Sequence, residues 1–154
     1  MWTLEDYFVG HHDYASELTD ATMDNAQITV DRWNNLLTAF GQEHPGEPPR
    51  IIVSGWRPLA VNAQVPGAAP KSHHMTGEAL DGWDRNRALA KWLLSKAEEY
   101  LAQFELWYED MRATPTWVHG QIVPPASGSR FFIPDVSWAN RLAGHPLSIS
   151  TLGG

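Results

Sequence analysis

SHHMTGEALD, residues 72–81, sets two histidines, a serine and two acids around a single glycine. His74 and Asp81 are seven positions apart, too far for one helical turn. The spacing suits one residue at the end of a loop and the other on the strand that follows, with Gly77 permitting a tight turn between them. The stretch reads in two ways, as an ordinary polar surface turn or as half of a metal site. The other half would be His119 in TWVHGQ, residues 116–121, where Trp117, Val118 and Gln-Ile-Val indicate a strand. A His/Asp/His set with water in the fourth position has the composition of a catalytic zinc site. Spacing alone leaves both readings open.

Around this stretch the hydrophobic periodicity gives the elements. Met23, Ala26, Val30, Trp33, Leu37 and Phe40 recur at steps of three and four, which predicts a helix over 19–40, capped by Thr19 or Asp20 and stopped at Gly41. A loop stiffened by Pro45, Pro48 and Pro49 precedes a short buried strand over 50–54, ended by Gly55. Residues 56–73 read as a long loop, a common place for function. A weak strand follows over 77–81, then a second helix capped near Asp84 with Leu89, Trp92, Leu93, Ala97, Tyr100 and Leu101 on one face. Strands are expected over 104–109 and 116–123, and the Pro-, Gly- and Ser-rich remainder carries no assignment. The fold class is α+β, a small antiparallel sheet with packed helices, in one domain over 1–154 whose last residues, 136–154, form an irregular tail.

Composition narrows the function. The chain has 154 residues, no cysteine and a net charge of −7. Disulfides and zinc–thiolate sites are therefore excluded, and any metal must be held by His, Asp or Glu. Without a clustered cationic face, nucleic acid is not an expected partner. No apolar run is long enough for membrane insertion. The opening MWTLEDYFVG places acids, and no Lys or Arg, among its first residues, the wrong order for a signal peptide, so synthesis in the cytoplasm is expected. Nothing in the composition sets the oligomeric state.

SHHMTGEALD resembles the Ser-x-His-x-x-Gly-x-Ala-x-Asp motif of the zinc D-Ala-D-Ala peptidases. That superfamily also holds phage endolysins and the hedgehog signalling domain. Ser72, His74, Gly77, Ala79 and Asp81 all match, and WVH at 117–119 resembles the second motif. SGWRPLAVNAQV (54–65) and PPASGSRFFIP (124–134) are similar to the phage-associated branch, so the likeness covers most of the chain. It implies the hedgehog/D,D-peptidase zinc fold, with zinc as cofactor and His74, Asp81 and His119 as ligands. It further implies a peptidoglycan stem peptide as substrate, cut by a carboxypeptidase or an endolysin-like endopeptidase. Action on the cell wall, in phage lysis or from a phage particle, would follow. His73 falls on a variable motif position and reads as an exposed neighbour of the site. Ser72 is implied to be a hydrogen-bonding residue beside the ligands.

Hydrolysis needs a carboxylate to take a proton from the attacking water and hand it to the leaving amine. Many relatives carry it three residues before the last histidine, where this chain has Thr116. The nearest acids upstream are Glu109 and Asp110, which strand alternation turns to opposite faces. Glu109, with the longer side chain, is the expected base, and Asp110 is the reserve. The resemblance assigns Arg57 to substrate oxygen, and Asn62 either to substrate contact or to shaping its loop. If both acids belong to a solvated turn, the alternative is a catalytically silent zinc domain that binds cell wall or a phage-particle partner. His11, His12 and Asp13 read as a solvated turn. Trp83 and Trp107 could stack on sugar or peptide, but read as core.

Overall fold

A computed structural model describes residues 1–8 and 10–134; the expected tail, 136–154, lies outside the described residues. The chain runs through helix α1 (Leu4–Phe8), a 3-10 turn (His12–Glu17), the long helix α2 (Asp20–Glu43) and strand β1 (Ile52–Ser54). Helix α3 (Leu59–Asn62), a second 3-10 turn (His73–Thr76) and strand β2 (Ala79–Trp83) follow. Helices α4 (Ala88–Ser95) and α5 (Glu98–Ala102) lead to strands β3 (Trp107–Glu109), β4 (Trp117–Gln121) and β5 (Phe131–Phe132). The five strands form one sheet in the order β1-β2-β4-β3-β5.

Thr19 caps α2 by accepting from the Thr22 N–H at 3.1 Å. The helix buries Ala26, Val30, Trp33, Leu36 and Phe40, close to the expected stripe. It does not stop at Gly41. It ends at Glu43, where the His44 N–H bonds the Phe40 carbonyl. His44 precedes Pro45, and the proline ring disfavours the helical conformation for the residue before it.

Trp33 is fully buried and presses on the sheet where two glycines open it. A β-carbon on Gly120 would lie 2.8 Å from the Trp33 ring, and one on Gly82 would lie 3.1 Å from Trp2 and 3.4 Å from Trp33. Each glycine directly follows a member of the expected ligand set, Asp81 or His119. Because strand side chains alternate, seating the helix on Gly82 and Gly120 sends Asp81 and His119 to the other face. Those two residues are direct partners in the antiparallel β2–β4 register. The sequence periodicity thus builds a two-faced sheet, with core on one side and chemistry on the other.

The sheet is the expected small one with packed helices, antiparallel across β1, β2, β4 and β3, and mixed only through its edge strand. β5 pairs with β3 in parallel, Tyr108 opposite Phe131 and Glu109 opposite Phe132. The second expected helix is two helices. Lys96 and Ala97 are extended between α4 and α5, and the Lys96 ammonium bonds the Glu43 carboxylate at 2.7 and 2.9 Å. Asp84 caps α4 as expected, accepting from the Leu89 and Ala90 N–H groups. Within the expected long loop α3 gives local order, and the second 3-10 turn begins at the loop's last residue, His73. The first residues, for which the sequence pattern predicts no element, fold back on the core: the Tyr7 hydroxyl donates to the Ala79 carbonyl, and the Tyr7 carbonyl accepts from Trp56 N–H. Trp2 packs on Trp33 with ring centres 5.6 Å apart. Trp83 and Trp107 are not core. Trp83 is exposed, and Trp107, partly exposed, lies under the Arg130 guanidinium at 4.5 Å. Among the described residues, no helix is long and apolar enough to cross a membrane.

Candidate metal centre

Ser72 opens the second 3-10 turn by accepting from the His74 N–H at 3.3 Å. Gly77 closes it in the left-handed region, φ 78°, so the chain can reverse into β2 there. A side chain on Gly77 would also collide with the Thr22 carbonyl, 2.4 Å from the position of a β-carbon. His74 is thereby held beside Asp81 of β2. Across the sheet, β4 brings His119 to the same place.

The metal-binding atoms of His74, Asp81 and His119 all lie within 4.8 Å of one another. The His119 Nδ1 is 2.8 Å from Asp81 Oδ1, and the His74 Nε2 is 3.4 Å from the same oxygen. The far nitrogen of each ring is also engaged. The His74 Nδ1 donates to the Gly55 carbonyl at 2.8 Å, and the His119 Nε2 lies 3.2 Å from Gln121 Oε1. One nitrogen of each histidine therefore faces the shared carboxylate while the other is tied to an acceptor outside, the usual arrangement around protein-bound metals. Two imidazoles and one carboxylate form a donor set that fits zinc and leaves room for a fourth ligand.

The electrostatics match such a centre. Burial opposes charge on His119, but its hydrogen bond to Asp81 and the nearby Asp81 and Glu109 charges outweigh this and raise its pKa to about 9. Burial likewise opposes ionisation of Asp81, and the two histidines overcome it, holding the carboxyl well below its ordinary range. Burial pushes His74 down, so this ring stays neutral. The cluster thus carries a proton, on His119, that a metal would displace.

A groove of about 620 Å³ opens over this cluster. Arg57, Lys71, Ser72 and His73 line it on the side of the 57–73 segment, and Pro125, Ala126, Phe132, Ile133 and Pro134 line it from the chain's last described stretch. Arg57 is oriented by Asn62 Oδ1 at 3.1 Å and by Ser54 Oγ at 3.4 Å. Asn62 itself is buried and donates to the Ala69 carbonyl, so it reaches the groove through Arg57 and the loop. Glu109 lines the groove and its charge acts on His119. Asp110 is buried, and the Arg112 guanidinium holds it at 2.8 and 3.0 Å. His73 lines the groove too, with Nδ1 2.8 Å from Glu78 Oε2, so it is less detached than its motif position indicates. His12 and Asp13 lie in an N-terminal 3-10 turn with no buried residue.

Gln121 is not among the residues expected from sequence. Only its place two positions beyond His119, on the same strand face, points to it.

The sheet of this mixed α+β domain thus carries, on the face away from α2 and under a groove, a largely buried His/Asp/His cluster of the class that could hold a metal ion. A family model described as Peptidase M15 matches residues 13–118. The chain belongs to the Peptidase M15 family. The match covers more than half of the 154 residues and includes His74 and Asp81, while His119 follows immediately after it. No curated protein and no solved structure shows a significant match to the chain.

Proposed function

We propose that this domain is a zinc-dependent peptidase acting on peptidoglycan stem peptides, with His74, Asp81 and His119 as the ligands of the ion. The observation that carries the reading is the convergence of those three donors, each histidine tethered by its other nitrogen, inside the groove of a Peptidase M15 chain. Zinc held by this set would supply Lewis acidity to the hydrolysis.

The protein groups divide the remaining work. Glu109 takes a proton from the attacking water and returns it to the leaving amine. It is preferred to Asp110 because Asp110 is committed to Arg112, whereas Glu109 lines the groove. Arg57, aimed by Asn62 and Ser54, stabilises negative charge developing on the scissile carbonyl oxygen. The positive charge of the groove is one-sided: Arg57 and Lys71 both belong to the 57–73 segment, which also contributes Val65, Pro66 and Ala68, whereas the 125–134 side carries no charge and is mainly apolar. That asymmetry suits an extended peptide bearing a carboxylate towards the 57–73 segment and small apolar groups towards 125–134. A setting in phage lysis or in a phage particle rests on the sequence likeness to the phage-associated branch.

One observation favours a second reading, a catalytically silent zinc domain that binds cell wall: Thr116 occupies the place where many relatives carry the base. Purified protein incubated with isolated cell walls, with and without a chelator, decides between them. Chelator-sensitive release of peptide fragments supports the peptidase. Stoichiometric zinc with no release supports the silent domain. One equivalent of zinc retained in both His74→Ala and His119→Ala would remove the ligand assignment.

A further inference from the structure

We propose that Gln121 is a positioning residue that decides which nitrogen of His119 is offered to the metal, an inference that rests on reading the cluster as a metal site. Neutral imidazole carries one ring proton, and only the bare nitrogen can ligate. The His119 ring presents Nδ1 to the cluster, 2.8 Å from Asp81 Oδ1, so in the ligating form its proton must reside on Nε2. Gln121 enforces this. Its side-chain N–H group donates to the Val123 carbonyl at 2.8 Å. That bond turns the amide so that Oε1, an acceptor only, faces the His119 Nε2 at 3.2 Å. With the amide reversed, two carbonyl oxygens would face one another at Val123. The amide N–H group would then meet Nε2 and favour the proton on Nδ1, the nitrogen the metal needs bare.

The residue is built for this task. It is buried at the floor of the groove, and it lies two residues along β4 from His119, on the same face. His74 is fixed in the same sense by the Gly55 main-chain carbonyl, which no side-chain substitution removes. The two histidines are therefore tethered unequally, one by backbone and one by a single replaceable amide. Gln121 acts through His119, not on the ion or the reacting atoms.

The test measures zinc affinity by competition with a chromophoric chelator, together with the ring ¹H–¹⁵N signals of His119 in zinc-loaded protein. Wild type, Gln121→Leu, Gln121→Met and Gln121→Glu are compared. The two apolar variants are expected to bind zinc roughly 10–100-fold more weakly and to lose the slowly exchanging Nε2–H signal of His119. Gln121→Glu keeps an acceptor at that nitrogen and should retain both the signal and near-wild-type affinity. Gln121→Met, of matching length, stands in if Gln121→Leu does not fold. Wild-type affinity and an intact Nε2–H signal in either apolar variant would overturn the proposal while leaving the metal site standing. Failure of wild type to bind zinc at all would instead overturn the metal reading beneath it.

Discussion

Without a metal ion, the stability of this protein should fall steeply between pH 7 and pH 9.5, and Asp81→Asn should abolish most of that fall. The His119 pKa is raised from the ordinary imidazole value of 6.5 to about 9, against the opposing effect of burial, by its bond to Asp81 and by neighbouring acidic charge. A group that binds its proton more tightly when folded stabilises the fold. That contribution is complete below about pH 6.5, where both states are protonated, and disappears as pH rises through the folded value. Every tenfold gain in proton affinity on folding corresponds to about 1.4 kcal/mol, so the loss between pH 7 and 9.5 is roughly 2–3 kcal/mol. The side chain is only 12% exposed, so solvent screening reduces this little. Below pH 6.5 the buried, neutral His74 acts in the opposite direction, and above about pH 10 the buried phenols of Tyr7 and Tyr108, both pushed upward, resist ionisation and add a loss of their own. The window from 7 to 9.5 lies between these effects.

Urea unfolding followed by tryptophan fluorescence in chelator, at half-unit pH steps, measures the slope. Zinc should reverse it, because the ion must displace the His119 proton and so binds more tightly as pH rises towards 9. From the ordinary imidazole value alone this competition is expected below about pH 6, and the Asp81 contact moves it upward. A flat profile in the metal-free wild type, or an equal slope in Asp81→Asn, would refute the account of the pair.

Three further outcomes are expected. Arg57→Ala should lower turnover roughly tenfold to a thousandfold with zinc content unchanged in metal analysis; unaltered kinetics would return Arg57 to a loop-shaping role. Glu109→Gln should keep zinc and folding but reduce wall hydrolysis by about a hundredfold or more, whereas Asp110→Asn should lower the melting temperature and spare turnover; the reverse pattern would exchange their roles. Gly120→Ala forces a methyl against Trp33 and should cost about 1–3 kcal/mol in denaturant unfolding, and a wild-type midpoint would show that α2 can back away from the sheet.

The parts of this molecule that can be read from sequence are those where one physical signal dominates. The stripe of α2 is long enough to average out exceptions, and the Ser72–Asp81 motif carries its turn glycine and its ligand types together. Short elements give no such signal. α1 has five residues and is held by Tyr7 through contacts to Trp56 and Ala79 far along the chain. β5 has two residues and pairs in parallel with β3, which local alternation cannot reveal. α2 runs past Gly41 because a lone glycine only weakens a helix, whereas Pro45 acts directly on the conformation of His44. Hydrophobicity alone places Trp83 and Trp107 inside, yet one is exposed and the other lies beneath Arg130. In the site, donor types at suitable separations are visible in the sequence, but the choice between Glu109 and Asp110 becomes concrete only with Arg112 in view. For Gln121 the sequence offers only its place two residues past His119, a commonplace arrangement until its Val123 bond is seen.

The folding back of the first eight residues has a practical meaning for how this domain is delimited. The segment that the family model matches, 13–118, leaves out both α1 and His119. A chain trimmed to it would lose the hydroxyl that grips Ala79, two residues ahead of Asp81, and the carbonyl that anchors Trp56 beside the Gly55 tether of His74. It would also lose the indole of Trp2 laid over Trp33 and Gly82. The matched segment and the unit of physical integrity are different lengths of chain. Any excision, fusion or transplantation of this module has to follow the second, from its first residues through at least the β5 strand.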